Sequence, residues 1–217
     1  PAQARIASLL ANEGLWEEAR AHLANLRKQK PEDRQRLIVI EAQLLADLSQ
    51  EQEALDFLDS ILSQEPENVE LLYYRAMTGQ RFGRLDILEA DLRSVIELDP
   101  GNADAMNALG YTLADQTNRH EEALELIEKA LTIKPDEPAF IDSLGWVQYR
   151  LKNFEMALTY LRQAFETFRN DEIAAHLGEV LWVVGDKKEA NRVWEQGLEL
   201  APESEILKNI IQRFRGE

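Results

Sequence analysis

Asn107-Ala108-Leu109-Gly110-Tyr111 is followed 35 residues on by Asp142-Ser143-Leu144-Gly145-Trp146, and a further 33 on by Ala175-His176-Leu177-Gly178-Glu179. One small unit repeats. Prolines give the same period independently: Pro31, Pro66, Pro100 and Pro135 stand 35, 34 and 35 apart, and Pro202 closes the last unit. Between them Ala19, Ala54, Ala123, Ala157 and Ala190 form a second mark, and twelve residues before most of these stands a small residue, Ala7, Ala42, Gly145 or Gly178. In the fourth unit the gap from Gly110 to Ala123 is thirteen, which places one inserted residue among Gln116 to His120. Repeats of this length stack, and a stack works through its surface rather than through a catalytic pocket.

The small residues have a physical reason. Two antiparallel helices approach closely only where side chains are small. Gly110, Gly145 and Gly178 each cost about 1 kcal/mol of helix propensity against Ala, so close packing is the expected compensation. Apolar periodicity predicts helices throughout, as in the stripe Ala123, Leu124, Leu126, Ile127, Ala130, Leu131 and Ile133. No window alternates like a strand. Gly14, Gly83, Gly185 and the stretch 151–153 mark turns inside helix pairs, and the Pro steps mark turns between them.

These marks, Leu-Gly, a turn, Ala, a large apolar residue four later and a terminal Pro, resemble the tetratricopeptide repeat. The resemblance implies an all-α, right-handed superhelical solenoid of six helix pairs, at about 1–33, 34–68, 69–102, 103–137, 138–170 and 171–202. Unit three departs from the pattern, with Leu88 where Ala is expected and Val95 at the later small position. The remainder, 203–215, carries Ile206, Leu207, Ile210, Ile211 and Phe214 at amphipathic spacing and is expected to cap the last pair. One continuous domain is expected, because no Gly/Ser-rich or Pro-rich linker interrupts it. The chain opens at Pro1 without Met and is expected to be part of a longer protein.

Composition narrows the function. Lys and Arg number 24 against 40 Asp and Glu, a formal net charge of −16. Such a chain is repelled by phosphate backbones and anionic lipid, so no nucleic-acid partner and no membrane insertion by this segment are expected. There is no cysteine, hence no disulfide or thiol chemistry. The three histidines are isolated. His120 falls in a packing slot held by Trp16, Leu85 and Phe154 in other units, and His176 borders the expected groove. No metal-ligand spacing, phosphate loop or nucleophile elbow appears, so the segment is read as non-enzymatic and without a cofactor.

In tetratricopeptide folds the first helix of each pair lines a groove. The resemblance therefore places Val39, Tyr73, Asn107, Asp142 and Ala175 on one ladder, and Gln43, Met77, Tyr111, Trp146 and Glu179 one turn later. Tyr149 and Trp182 follow, with Arg81, Asp115 and Arg150 beside them. The expected protein-binding set is Tyr73, Met77, Arg81, Asn107, Tyr111, Asp142, Trp146, Tyr149, Arg150 and Trp182, because Tyr, Trp and Arg dominate binding energy at interfaces. The Lys/Asn carboxylate clamp of the chaperone-binding branch is missing; Asn107 with Tyr111, or Asp142 with Trp146, stands there instead. A polypeptide with apolar and basic side chains fits this groove better than an acidic C-terminus.

The runs Asn107-Ala-Leu-Gly-Tyr-Thr-Leu-Ala-Asp115 and Asp142-Ser-Leu-Gly-Trp-Val-Gln-Tyr-Arg150 are more specific than a generic repeat. They resemble the C-terminal repeats of large tetratricopeptide lipoproteins of Gram-negative bacteria that act as adaptors of a periplasmic carboxy-terminal processing protease. That resemblance implies an outer-membrane lipid anchor outside this segment and a periplasmic location. It also implies partners in the protease and its substrates, such as cell-wall hydrolases. The alternative expectation is an assembly factor for an envelope complex, self-associating or binding through outer solenoid surfaces.

Overall fold

The computed structural model describes residues 2–48 and 50–216, with side chains from residue 5 onward. Among these residues there are thirteen α-helices, one 3-10 turn at Pro31–Asp33 and no strand. The helices form six pairs and a last single helix: α1 (Ala2–Asn12) with α2 (Trp16–Gln29), α3 (Arg34–Asp47) with α4 (Glu51–Leu62), and α5 (Val69–Arg81) with α6 (Leu85–Leu98). They continue as α7 (Ala103–Gln116) with α8 (His120–Ile133), α9 (Pro138–Arg150) with α10 (Phe154–Thr167), and α11 (Asp171–Val183) with α12 (Lys187–Leu200). The last is α13 (Glu205–Arg215). The chain divides into two compact units, Pro1–Pro100 and Gly101–Glu217.

Local chemistry sets the helix ends. Asn68, Asn102 and Asn170 each cap a first helix, accepting from Leu71, Ala105 and Ile173 N–H at 3.1, 3.0 and 2.8 Å. Asn170 thus starts α11 where the proline period lapses. Within pairs the chain reverses through a left-handed residue, with φ of 78° at Gly14, 71° at Gly83 and 97° at Gly185. In the fifth pair that position is held by Lys152, at φ 67°. The fourth pair turns differently. α7 has 14 residues where α5, α9 and α11 have 13, so the inserted residue lengthens the helix. Thr117 follows in an extended conformation, and its Oγ1 bonds Leu113 O at 2.6 Å and Arg119 N–H at 3.0 Å.

The glycines of the Leu-Gly steps stand where helices of one pair touch. A Cβ on Gly110 would meet Ile127 Cγ1 at 2.7 Å, and one on Gly145 would meet Leu161 Cγ at 2.6 Å. On Gly178 it would fall inside the indole of Trp194. In the third pair the tight approach shifts to Gly79, whose Cβ would stand 3.2 Å from Arg84 O and 3.3 Å from Ile87. Leu88 is accommodated there fully buried.

In the first unit, buried carboxylates tie neighbouring helices. Glu41 of α3 is held by Arg20 Nε at 3.2 Å and by Arg27, both from α2. Asp91 of α6 takes Arg75 of α5 bidentately, at 2.7 and 2.6 Å. Breaking either would strand a buried charge, which is strongly destabilising. In the second unit α7, α9 and α11 lie side by side, and α13 follows α11 in the row. The core there runs from Ile141 through Leu161, Leu177 and Trp194 to Leu207 and Ile210 of α13.

Candidate functional site

Helical spacing places Tyr111 and Asp115 one turn apart on α7, Trp146 and Arg150 one turn apart on α9, and Ala175 and Glu179 likewise on α11. Because these helices are neighbours, the side chains meet. They line a cleft of ≈ 830 Å³ within the second unit, completed by Tyr149, Lys152, Phe154, His176 and Val183, and by Ile206, Asn209, Ile210 and Arg213 of α13. Its volume is in the range of specific binding pockets.

The floor is a hydrogen-bonded relay across three helices. His176 Nδ1 donates to Asp142 Oδ2 at 2.8 Å, since an ionised carboxylate only accepts. Its Nε2 lies 3.3 Å from the Tyr111 hydroxyl. The imidazole is stacked under the Trp146 indole, with centroids 4.3 Å apart. Trp146 Nε1 donates to Asp115 Oδ1 at 3.3 Å, and Arg150 Nη1 donates to Asp115 O at 2.7 Å. At the α11 end, Tyr149 OH donates to Glu179 Oε1 at 3.0 Å, while Arg213 of α13 pairs with Glu179 Oε2. Arg150, Asp115, Arg213 and Glu179 thus have partners inside the protein; between them lie the half-buried rings of Tyr111 and Tyr149 and the buried indole of Trp146.

Burial pushes the Tyr111 hydroxyl well above its ordinary value, and the carboxylates of Glu172, Asp115 and Asp142 push further. Burial and Glu179 raise Tyr149 to about 12. Both tyrosines therefore stay protonated, and Tyr149 donates to Glu179. Tyr111, His176 and Asp142 have the order of a catalytic relay, but a hydroxyl held so firmly makes a poor nucleophile. Among the described residues no group of three His, Cys, Asp or Glu side chains is placed to hold a metal ion. No helix among them is long and apolar enough to cross a membrane.

Of the expected binding residues, Tyr111, Trp146, Tyr149 and Arg150 line this cleft. Asn107, Asp142 and Trp182 do not. Asp142 is buried, with its carboxylate turned to His176. Asn107 is half-buried and its Oδ1 meets no donor. Trp182 packs on Trp194 at 5.5 Å and on Phe214 at 6.1 Å, which makes it an anchor for α13. Tyr73, Met77 and Arg81 belong to the first unit; Tyr73 and Met77 are half-buried there and Arg81 pairs with Asp47 at 2.7 Å. Phe154, read as a packing residue, is half-buried and also borders the cleft.

The amphipathic spacing of α13 predicts a packed helix but not that Asn209 and Arg213 border the cleft, although the repeat contains that signal. Extending the ladder Asn107, Asp142, Ala175 by one more period reaches Asn209, and extending Tyr111, Trp146, Glu179 reaches Arg213. α13 thus occupies the place of a first helix in a further unit, and its rungs complete the cleft.

Comparison with known proteins agrees with this architecture. Residues 80–138 and 142–171 each match a model of the tetratricopeptide repeat. A TPR repeat-containing protein of Pseudomonas aeruginosa is 44% identical over 82% of the chain. The chain spans only 30% of that relative's length. Among solved structures, a tetratricopeptide repeat protein from Parabacteroides merdae superposes with a TM-score of 0.79 at 14% identity, over 97% of this chain and 83% of that one. A thermophilic TPR protein from Thermus thermophilus gives 0.69 at 22% identity, over 82% of this chain and 96% of that one. The chain carries tetratricopeptide repeats and has the all-α fold of tetratricopeptide-repeat proteins, a class that binds other proteins.

Proposed function

We propose that the chain is a protein-binding scaffold whose cleft on the second unit receives an extended segment of a client polypeptide. The observation that carries this is the aromatic lining of Tyr111, Trp146 and Tyr149, the two tyrosines half-buried and Trp146 only 6% exposed, fixed between charges that are paired within the protein. Large rings fixed in advance contribute binding energy at little ordering cost.

More specifically, the chain acts as an adaptor that brings protein substrates, cell-wall hydrolases among them, to a periplasmic carboxy-terminal processing protease. It does so as part of a lipid-anchored outer-membrane protein. The Asp142-Ser-Leu-Gly-Trp run and the 44% identity to a longer protein of a Gram-negative bacterium support this reading. Proteolysis in a purified mixture of protease, hydrolase and this chain tests it. Cleavage is expected to accelerate when the chain is present, and Trp146→Ala is expected to remove the gain. A chain that binds the protease and leaves cleavage unchanged contradicts the adaptor role.

A self-associating assembly factor is the second reading. It is favoured by Ile133, Phe168 and Leu200, large apolar residues exposed at the ends of successive second helices. Sedimentation across a concentration series separates the two, since the adaptor reading expects a monomer.

A further inference from the structure

On α13, Lys208 and Gln212 are exposed polar residues, whereas Ile206 is an exposed apolar one. It is 47% exposed, and it lines the cleft together with Ile210 and with Val183 of α11, itself 44% exposed. Two exposed aliphatic side chains therefore share one cleft with the Trp146 and Tyr149 rings. Covering them would recover roughly 25 cal/mol for each Å² of apolar surface removed from water.

The wall that carries Ile206 is fixed from several sides. Leu207 and Ile210 are buried in the core, and Phe214 packs against Trp182 and Trp194. Arg213 is paired with Glu179, and Arg215 Nε bonds Asn191 Oδ1 at 2.7 Å. The ledge is thus already ordered, so an occupant does not bear the cost of ordering it. The charge pattern narrows the occupant. Arg150 and Arg213 are engaged with Asp115 and Glu179, so a charged side chain beside them would compete with existing pairs, while Lys152, also in the lining, is exposed. An aliphatic side chain leaves those pairs intact.

We propose that α13 is a wall of the recognition site, and that its Ile206, with Val183, selects client segments presenting a large aliphatic side chain. This rests on the reading of the cleft as a polypeptide site.

Short fluorescein-labelled Gly/Ser peptides carrying Leu, or Ala in its place, at alternate positions provide the probe. Their anisotropy is titrated with the whole chain. The expected result is that the Leu peptide binds about tenfold or more tighter than the Ala peptide. Ile206→Ser should bring the two within about twofold, with an unchanged melting temperature. Leu9→Ser, a like change at an exposed residue outside the cleft, should keep the preference. A parent chain that does not distinguish the peptides, whether it binds both or neither, overturns the proposal. So does an Ile206→Ser chain that still prefers Leu. If Trp146→Ala abolishes binding while Ile206→Ser changes nothing, the cleft stands and this role of α13 falls. If neither variant changes the binding, both fall.

Discussion

The indole of Trp146 lies on the imidazole of His176, their centroids 4.3 Å apart and their planes inclined by 24°. The two residues come from successive repeats, so the buried indole of one unit rests on a buried polar group of the next. That group is in turn held by Asp142, which sits one turn before Trp146 on the same helix. Removing the imidazole therefore affects the fold and the cleft together. Asp142 Oδ1 has no donor, so His176 supplies the carboxylate's only hydrogen bond among the described residues. His176→Ala is expected to cost about 3 kcal/mol or more in urea unfolding, because it strands a buried charge. His176→Ala combined with Asp142→Ala should regain part of that loss. Additive losses would show that the two side chains do not depend on each other.

The same pair makes stability depend on pH in a defined direction. Burial alone would lower the pKa of His176. The charge and hydrogen bond of Asp142, with the carboxylates of Glu172 and Asp115, together outweigh it and carry the group above its ordinary 6.5. The folded chain thus holds this proton more tightly than the unfolded chain does. The stabilisation is complete below about pH 6.5 and disappears as pH rises through the folded pKa. Urea midpoints should therefore fall as pH rises above about 6.5. His176→Asn should flatten that part of the profile; an identical slope in the variant would assign it to other groups.

Gly178→Ala tests the helix contact of the last pair. Helix propensity alone favours Ala by about 1 kcal/mol. Steric overlap should win, because the added methyl meets the indole of Trp194, which is fully buried and has nowhere to move. A net loss of about 1–3 kcal/mol is expected in thermal or urea unfolding. A stabilised variant would contradict the packing described for α11 on α12.

Lys152 gives a prediction of opposite sign. It holds φ 67° at the turn where other pairs have glycine, a conformation strained for a residue with a Cβ. Lys152→Gly is expected to stabilise the chain by about 0.5–1 kcal/mol, the relief of that strain less the entropy that glycine brings. Gly185→Ala, at φ 97° with open space around it, should lose about 1 kcal/mol or more through strain alone. Urea midpoints that moved together in the two variants would refute this account of the turns.

These elements also show what a single sequence carries. Prolines and Leu-Gly steps recur because each pair must turn and pack in the same way, so helix number and pairing are written as a period. Polar links between repeats are only partly periodic. Arg81 with Asp47 recurs as Arg150 with Asp115, but Asp142 with His176 does not recur in the equivalent pairs Asn107 with Ser143 and Ala175 with Ile210, so no repeated pattern announces it. Trp146 and Trp182 looked alike as aromatic residues of first helices, yet one faces the cleft and the other anchors α13. Their difference depends on where α13 docks. Asn209 and Arg213 fall on the extended ladder, but the amphipathic spacing of α13 marks only its apolar face.

The central claim is that the aromatic face of the second unit binds polypeptide, and Trp146 is its most direct probe. Titration of the labelled Leu peptide against the parent chain and Trp146→Ala measures its contribution. The account predicts a loss of about 2 kcal/mol or more, roughly thirtyfold in affinity, for a variant that circular dichroism shows to be folded. Equal affinity of the folded variant and the parent would contradict it.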